Sequence, residues 1–205
     1  MSCYLGPAAR TRNELESVSM RIELKFVGLL SLVACAFLVA ASGATVQRRP
    51  AGVVACDVRA YVNDPDPKGL NVRSGPGTNY PVIGNLPNQG NDGIEVHING
   101  SSGDWVRIDR AVEQGGDEGR NFFRGEGWVY GPALGVDGVG GFDPPGTPLY
   151  QGTTKRANVV ARLPVEGGGA KVRGCMRDWT HVEYKGKRGW AAPGTLCYST
   201  LTNCS

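Results

Sequence analysis

The sequence predicts an all-β protein with two small β-barrels in tandem after an N-terminal signal peptide. Its 205 residues include 31 glycines and 13 prolines, and few apolar residues recur with a helical period, which favours short strands and many turns. Several short segments alternate apolar and polar residues, as half-buried strands do. The order of these segments in the first half recurs in the second half, which predicts two copies of one module.

Residues 1–44 are predicted to form a secretory signal peptide. A basic segment that begins at Met20, a candidate initiator, precedes the apolar run 26–41 and the small residues 42–44. The apolar run is shorter than the ~20 residues of a membrane span, so we expect cleavage after Ala44 and no stable span. This predicts a secreted or periplasmic protein. The alternative is a lipoprotein anchored at Cys35, because Leu32-Val33-Ala34-Cys35 has the order of a lipidation box.

The charge of the mature chain argues against nucleic acid as a partner. Removal of residues 1–44 takes away four of the 22 basic and three of the 19 acidic groups, which leaves a net charge of +2. Such a balance provides no general attraction to nucleic acid or to anionic membranes.

The most specific motif joins the segment Leu70-Asn71-Val72-Arg73 to a Gly75-Pro76-Gly77 turn and a second apolar run. The backbone must reverse tightly there while one apolar face stays inward. Asp104-Trp105-Val106-Arg107-Ile108 and Gly127-Trp128-Val129-Tyr130 follow later in the chain. Together these three segments resemble a bacterial SH3-like domain, which implies a small β-barrel that binds a ligand.

The repeat places the first module at residues 53–135 and a second, degenerate module with a cysteine-containing tail at residues 147–205. Asp178-Trp179 and Gly189-Trp190 repeat the tryptophan positions of the first module, but residues 151–155 replace its Gly-Pro-Gly turn. The Gly- and Pro-rich linker, residues 136–146, is expected to lack regular structure. We expect each module to enclose its own apolar core.

Alternation also assigns the faces of the strand through Trp105. Val106 and Ile108 are predicted to point inward, with Trp105 and Arg107 on the opposite face. The segment that follows, residues 109–126, is predicted to be a long polar loop that the second module lacks. Its adjacent Phe122 and Phe123 either fold back over the barrel end or form a contact site.

Four cysteines remain after signal removal: Cys56, Cys175, Cys197 and Cys204. An even number in an exported protein predicts disulfides, and four cysteines allow three connectivities. Only Cys56 lies in the first module, so complete oxidation within one molecule requires a bridge to the second module or its tail. We favour Cys175 with Cys197 and Cys56 with Cys204. No C-x-x-C pair is present, so no zinc site, other metal or cofactor is expected.

The resemblance implies a groove between the opening loop and the tryptophan-bearing strands, because bacterial SH3-like modules of exported proteins commonly bind peptidoglycan peptides or other proteins. It nominates Asn71, Arg73, Tyr80, Trp105 and Tyr130 as ligand-binding residues. Arg73 has the geometry to bind a carboxylate, and the aromatic rings offer a flat wall. The structural alternative is that Tyr80 and Trp105 cap the barrel, while the stem of Arg73 covers apolar surface.

Catalysis is not expected from this sequence. The two histidines, His97 and His181, occupy equivalent strands of different modules, and no segment outside the two barrels is long enough for a catalytic domain. The leading prediction is therefore an exported, non-catalytic protein whose partner is peptidoglycan or an envelope protein. The alternatives are an inhibitor or accessory protein that uses Phe122 and Phe123, and a cell-wall hydrolase.

Overall fold

The computed structural model describes residues 52–88, 93–114, 119–165, 167 and 169–200, so the predicted signal peptide, Cys35 and Cys204 lie outside the described residues. The described chain is almost entirely β, which confirms the predicted fold class, and it contains no helix with the length and hydropathy of a membrane span. Its elements are β1 (Val54–Val62), β2 (Leu70–Arg73), β3 (Val82–Leu86), β4 (Ile94–Ser102), β5 (Trp105–Glu113), β6 (Asn121–Tyr130), a 3-10 turn (Gly131–Ala133), β7 (Leu134–Gly138), β8 (Thr147–Tyr150), β9 (Val159–Leu163), β10 (Ala170–Met176), β11 (Trp179–Tyr184), β12 (Lys187–Ala191) and β13 (Leu196–Cys197).

Antiparallel pairing joins these strands in the order β3-β2-β6-β5-β4-β1-β7-β10-β11-β12-β8-β9, and β13 pairs with β7. The first half contributes β4-β5-β6-β2-β3 and the second contributes β10-β11-β12-β8-β9, so each half has the same order when read outward from β1 and β7. The repeat in the sequence therefore corresponds to a repeat in strand topology.

Strand β7 is shared by the two halves. It pairs with β1, where Val62 lies opposite Leu134, and with β10, where Ala170 lies opposite Val136. It therefore ends the first half and begins the second, and β13 pairs with β7 as β7 pairs with β1. The prediction that the linker starts at residue 136 without regular structure is wrong for residues 136–138. Fully buried Leu134 and Val136 form a short alternating pattern that the surrounding glycines obscured.

The two halves also share one core, which corrects the expectation of two separate apolar centres. A single cluster of buried side chains includes Ile108 of the first half, Val136 of β7 and Leu149 of the second half. Within this core the predicted strand faces are confirmed, because Val106 and Ile108 are fully buried while Trp105 is only partly buried.

A disulfide between Cys56 in β1 and Cys175 in β10 links the halves, with a Cα–Cα distance of 5.8 Å. This confirms the predicted bridge between modules, but the favoured pairing of Cys175 with Cys197 is wrong, and so is that of Cys56 with Cys204. Cys197 is also disulfide-bonded. The pairing was wrong because two separate barrels were expected, whereas β1 lies beside the end of β10. The Asp57 amide of β1 donates to the carbonyl of Arg177, the residue after β10, at 2.9 Å.

Charged side chains reinforce the contact between the halves. Arg173 in β10 donates from Nη1 to Asp104 Oδ2 at 3.0 Å and from Nη2 to Glu183 Oε2 at 3.0 Å. Arg188 Nε donates to the same Glu183 oxygen at 2.8 Å, and this hydrogen bond is the main cause that lowers the pKa of Glu183. Because the Arg173 side chain is only 13% exposed, the Asp104 and Glu183 contacts compensate a charge that is largely removed from water.

The predicted loop at residues 109–126 is mostly strand. β5 extends to Glu113 and β6 begins at Asn121, so the insertion lengthens a hairpin. A Cβ atom on Gly84 or Gly127 would lie 3.2 or 2.8 Å from the Phe123 ring. Phe123 therefore packs closely over these two glycines, and Phe122 also packs against the core. These positions favour packing over a free contact site.

His97 lies between two carboxylates on the outer face of β4. Its Nε2 is 2.8 Å from Asp57 Oδ1, and its Nδ1 is 2.7 Å from Asp109 Oδ1. Burial alone would lower the pKa of His97, but the hydrogen bonds to Asp57 and Asp109, together with their charges, raise it. His181 is affected oppositely, because burial and then the charge of Arg188 lower its pKa. His181 stacks on Trp190 with ring centroids 4.7 Å apart.

These two pKa shifts predict that the free energy of unfolding depends on pH. His97 makes it fall as pH rises above about 6.5, and His181 makes it fall as pH drops below about 6.5. Protonated His97 stabilises the folded chain below its unfolded pKa of about 6.5, and this stability is lost as pH rises through its raised folded pKa. His181 reduces stability as pH falls below about 6.5. We expect His97→Gln to flatten the decline in the free energy of unfolding as pH rises above about 6.5, measured by urea denaturation. Equal slopes for wild type and variant in that window would contradict this.

Candidate functional site

A groove of about 570 Å³ opens on the first half, between the loops that flank β2 and the adjoining ends of β5 and β6. Its volume is in the range of small-molecule and peptide-fragment sites. Its lining combines aromatic, amide, charged and backbone groups: Asp64, Asp66, Gly69, Leu70, Asn71, Arg73, Gly77, Thr78, Asn79, Trp105 and Tyr130.

Four of the predicted ligand-binding residues meet in this groove, namely Asn71, Arg73, Trp105 and Tyr130. Tyr80, Phe122 and Phe123 do not line it. The strand topology explains the convergence, because β2 pairs with β6 and β6 pairs with β5. Residues far apart in the sequence, on the outer face of these strands, therefore lie side by side.

Trp105 and Tyr130 form the aromatic wall of the groove. They lie opposite each other in the β5–β6 register, with ring centroids 5.7 Å apart and an interplanar angle of 57°. Tyr130 is 43% exposed, so its ring remains available to a ligand. Two tilted rings present a corner of apolar surface together with the indole N–H and phenol O–H groups.

Arg73 holds the loop that follows β2. Its Nη1 donates to the Thr78 carbonyl at 3.1 Å and to the Tyr80 carbonyl at 2.8 Å. These bonds fix one wall of the groove. They also occupy Nη1, so Arg73 cannot bind a ligand carboxylate through Nη1 and Nη2 together. The geometry gives Arg73 a role in positioning the loop.

The Gly-Pro-Gly turn is shaped by Tyr80. A Cβ atom on Gly75 would lie 2.3 Å from the Tyr80 ring, so only glycine permits the ring to pack against the backbone at that point. The Ser74 amide also donates to the Pro81 carbonyl at 3.0 Å across the base of the loop. The sequence motif thus encodes a closed loop, and the Tyr80 ring packs against the backbone of that loop instead of lining the groove.

Two acidic residues of the groove, Asp64 and Asp66, were not predicted from the sequence. Asp64 Oδ1 accepts from the Asp66 amide at 3.1 Å, and Asp66 Oδ1 accepts from the Lys68 amide at 2.9 Å. The segment Asp64-Pro65-Asp66-Pro67 precedes the recognised motif. Its alternation of carboxylates with stiff prolines could have been taken as a signal for an ordered acidic loop.

The second half does not reproduce this combination of side chains. In the second half Tyr150 pairs with Trp190, whereas at the equivalent position of the first half Arg73 pairs with Trp128. An aromatic ring therefore replaces the guanidinium that holds the loop of the first half. Tyr150 packs edge to face with Trp179 at 6.0 Å. The degenerate turn noted in the sequence thus corresponds to a different local arrangement.

Comparison with known families agrees with this geometry. Residues 68–134 match the bacterial SH3 domain family. The SH3 match covers about a third of the chain, from the end of the β1–β2 loop to the start of β7, and it does not extend to the second half. It contains the aromatic wall and Arg73, whereas Asp64 and Asp66 precede it. No curated protein and no solved structure matches the chain.

Within the described ranges, no three histidine, cysteine, aspartate or glutamate residues are grouped so that they could hold a metal ion. The groove itself contributes aromatic surface, amides and carboxylates. This set of side chains is suited to hydrogen bonding and stacking with a ligand.

Proposed function

We propose that the protein is an exported, non-catalytic binding protein whose groove takes a peptide portion of cell-wall peptidoglycan. The observation that carries this proposal is the position of the groove. Its aromatic wall and the Arg73 loop lie inside the segment that matches the bacterial SH3 domain family, whose members commonly bind peptidoglycan.

The lining suits a short peptide or its attached sugar. The rings of Trp105 and Tyr130 provide apolar contact with few rotatable bonds to immobilise. Asn71 and Asn79 are exposed at the groove and supply amide donors and acceptors for a ligand backbone. Because Arg73 holds the loop through the Thr78 and Tyr80 carbonyls, we expect little reorganisation of the loop on binding.

The Cys56–Cys175 disulfide supports an extracellular or periplasmic location. Disulfides persist in oxidising compartments and are rare where thiols are kept reduced. Peptidoglycan is also found outside the cytoplasmic membrane, so the proposed ligand and the proposed compartment agree.

Sedimentation with purified cell-wall sacculi tests the proposal. We expect the wild-type protein to sediment with sacculi and Trp105→Ala to lower its affinity about tenfold or more, because aromatic anchors carry a large share of binding energy. Trp179→Ala is the matched control, since Trp179 holds the equivalent position in the second half. Absence of wild-type sedimentation at low salt would overturn the proposal, as would equal losses in the two variants.

We propose that binding occurs without catalysis. Labelled sacculi incubated with purified protein are expected to release no soluble fragments above a buffer control. Release of soluble fragments that increases with protein concentration would contradict this and would support the alternative function, a cell-wall hydrolase.

A further inference from the structure

The groove has an excess of negative charge. Asp64 and Asp66 both line it, and Arg73 is the one cationic residue among its described lining residues. The Arg73 guanidinium is directed through Nη1 to the Thr78 and Tyr80 carbonyls. The groove lining therefore carries a net negative charge, which favours a cationic group over an anionic one.

Both carboxylates retain hydrogen-bonding capacity. Each accepts one backbone amide through Oδ1, and in the described chain no hydrogen bond reaches Oδ2 of either residue. Those backbone bonds also hold the two carboxyl groups in place. No lysine or arginine of the described ranges forms an ion pair with them.

The aromatic wall adds a second feature that favours a cation. Trp105 and Tyr130 line the same groove as the two aspartates. The faces of tryptophan and tyrosine rings attract ammonium groups, and carboxylates form short, charge-assisted hydrogen bonds with them. A primary ammonium group can donate three hydrogen bonds, which matches two carboxylates and one further acceptor.

We propose that the groove selects ligands with a free primary ammonium group, which Asp64 and Asp66 bind beside the Trp105–Tyr130 wall. This inference rests on the proposed function and specifies its ligand. In a cell-wall peptide the group is the side-chain amine of a diamino acid that has not yet been cross-linked. The groove would therefore distinguish uncross-linked from cross-linked peptide by charge.

Two soluble probes test the selection: a muropeptide with a free diamino-acid amine, and the same muropeptide acetylated at that amine. We expect wild-type protein to bind the free-amine probe about tenfold or more tightly than the acetylated probe, from the usual strength of hydrogen bonds to charged groups. The double variant Asp64→Asn/Asp66→Asn should lose this preference and bind the two probes with similar affinity. Calorimetry or fluorescence titration measures both affinities.

Asp178→Asn is the control, because this exposed aspartate lies in the second half and does not line the groove. It should keep the full preference for the free amine. Equal binding of both probes by wild-type protein would overturn the inference and leave the proposed function standing. If wild-type protein binds neither probe and does not sediment with sacculi, both the inference and the proposed function are overturned. Circular dichroism of the variants establishes that they are folded.

Discussion

Leu134→Ala is expected to destabilise both halves of the protein together, by about 2–5 kcal/mol as for other buried leucines. Leu134 is fully buried in β7, the strand that pairs with β1 of the first half and β10 of the second. A cavity at this position removes contacts that both halves use. Thermal or urea denaturation, followed by tryptophan fluorescence, measures the loss.

Val82→Ala is the control for this experiment, because Val82 is 50% exposed at the start of β3. Its effect should stay within about 0.5 kcal/mol, as for most surface substitutions. Hydrogen exchange should show amides in β5 and β11 losing protection in parallel in Leu134→Ala. Loss of protection in one half alone would contradict the shared-strand account.

Removal of the Cys56–Cys175 bridge is expected to cost about 4–5 kcal/mol, because a loop on the order of 100 residues is released in the unfolded chain. The cysteines are separated by 119 positions in the sequence, so this bridge closes most of the described chain. The double variant Cys56→Ala/Cys175→Ala isolates the effect, since reduction of the wild type would also break the disulfide of Cys197.

The control for the disulfide experiment is the wild-type protein under oxidising conditions, with the free energy of unfolding measured by urea denaturation. The double variant should unfold at a clearly lower urea concentration. An unfolding midpoint equal to that of the wild type would contradict this, because it would mean that the bridge adds nothing to the hydrogen bonds between β1 and Arg177.

Local features of the fold were predictable from the sequence because they depend on neighbouring residues. The alternation of Val106 and Ile108 with Trp105 fixed the strand faces, and the Gly-Pro-Gly segment fixed the closed loop after β2. The shared strand was not predictable in this way. Gly135 and Gly138 made β7 look like linker, although Gly135 is required because a Cβ atom there would lie 2.5 Å from the Tyr61 ring.

The groove was predictable in part, through a resemblance and not through local patterning. The likeness to bacterial SH3-like domains nominated Trp105 and Tyr130, and the β5–β6 register places them opposite each other. The role of Arg73 depends on two loop carbonyls, whose positions no sequence pattern states. Asp64 and Asp66 lie ahead of the recognised motif, and only the folding of the β1–β2 loop brings them to the groove.

The most direct test of the proposed binding site is an NMR titration of isotopically labelled protein with a soluble muropeptide that carries a free diamino-acid amine. The account predicts saturable chemical-shift changes concentrated at the groove, with the Trp105 indole N–H and the Asn71 and Asn79 amides among the largest, and little change around Trp179. Shifts centred on the second half, or none at saturating muropeptide, would contradict it.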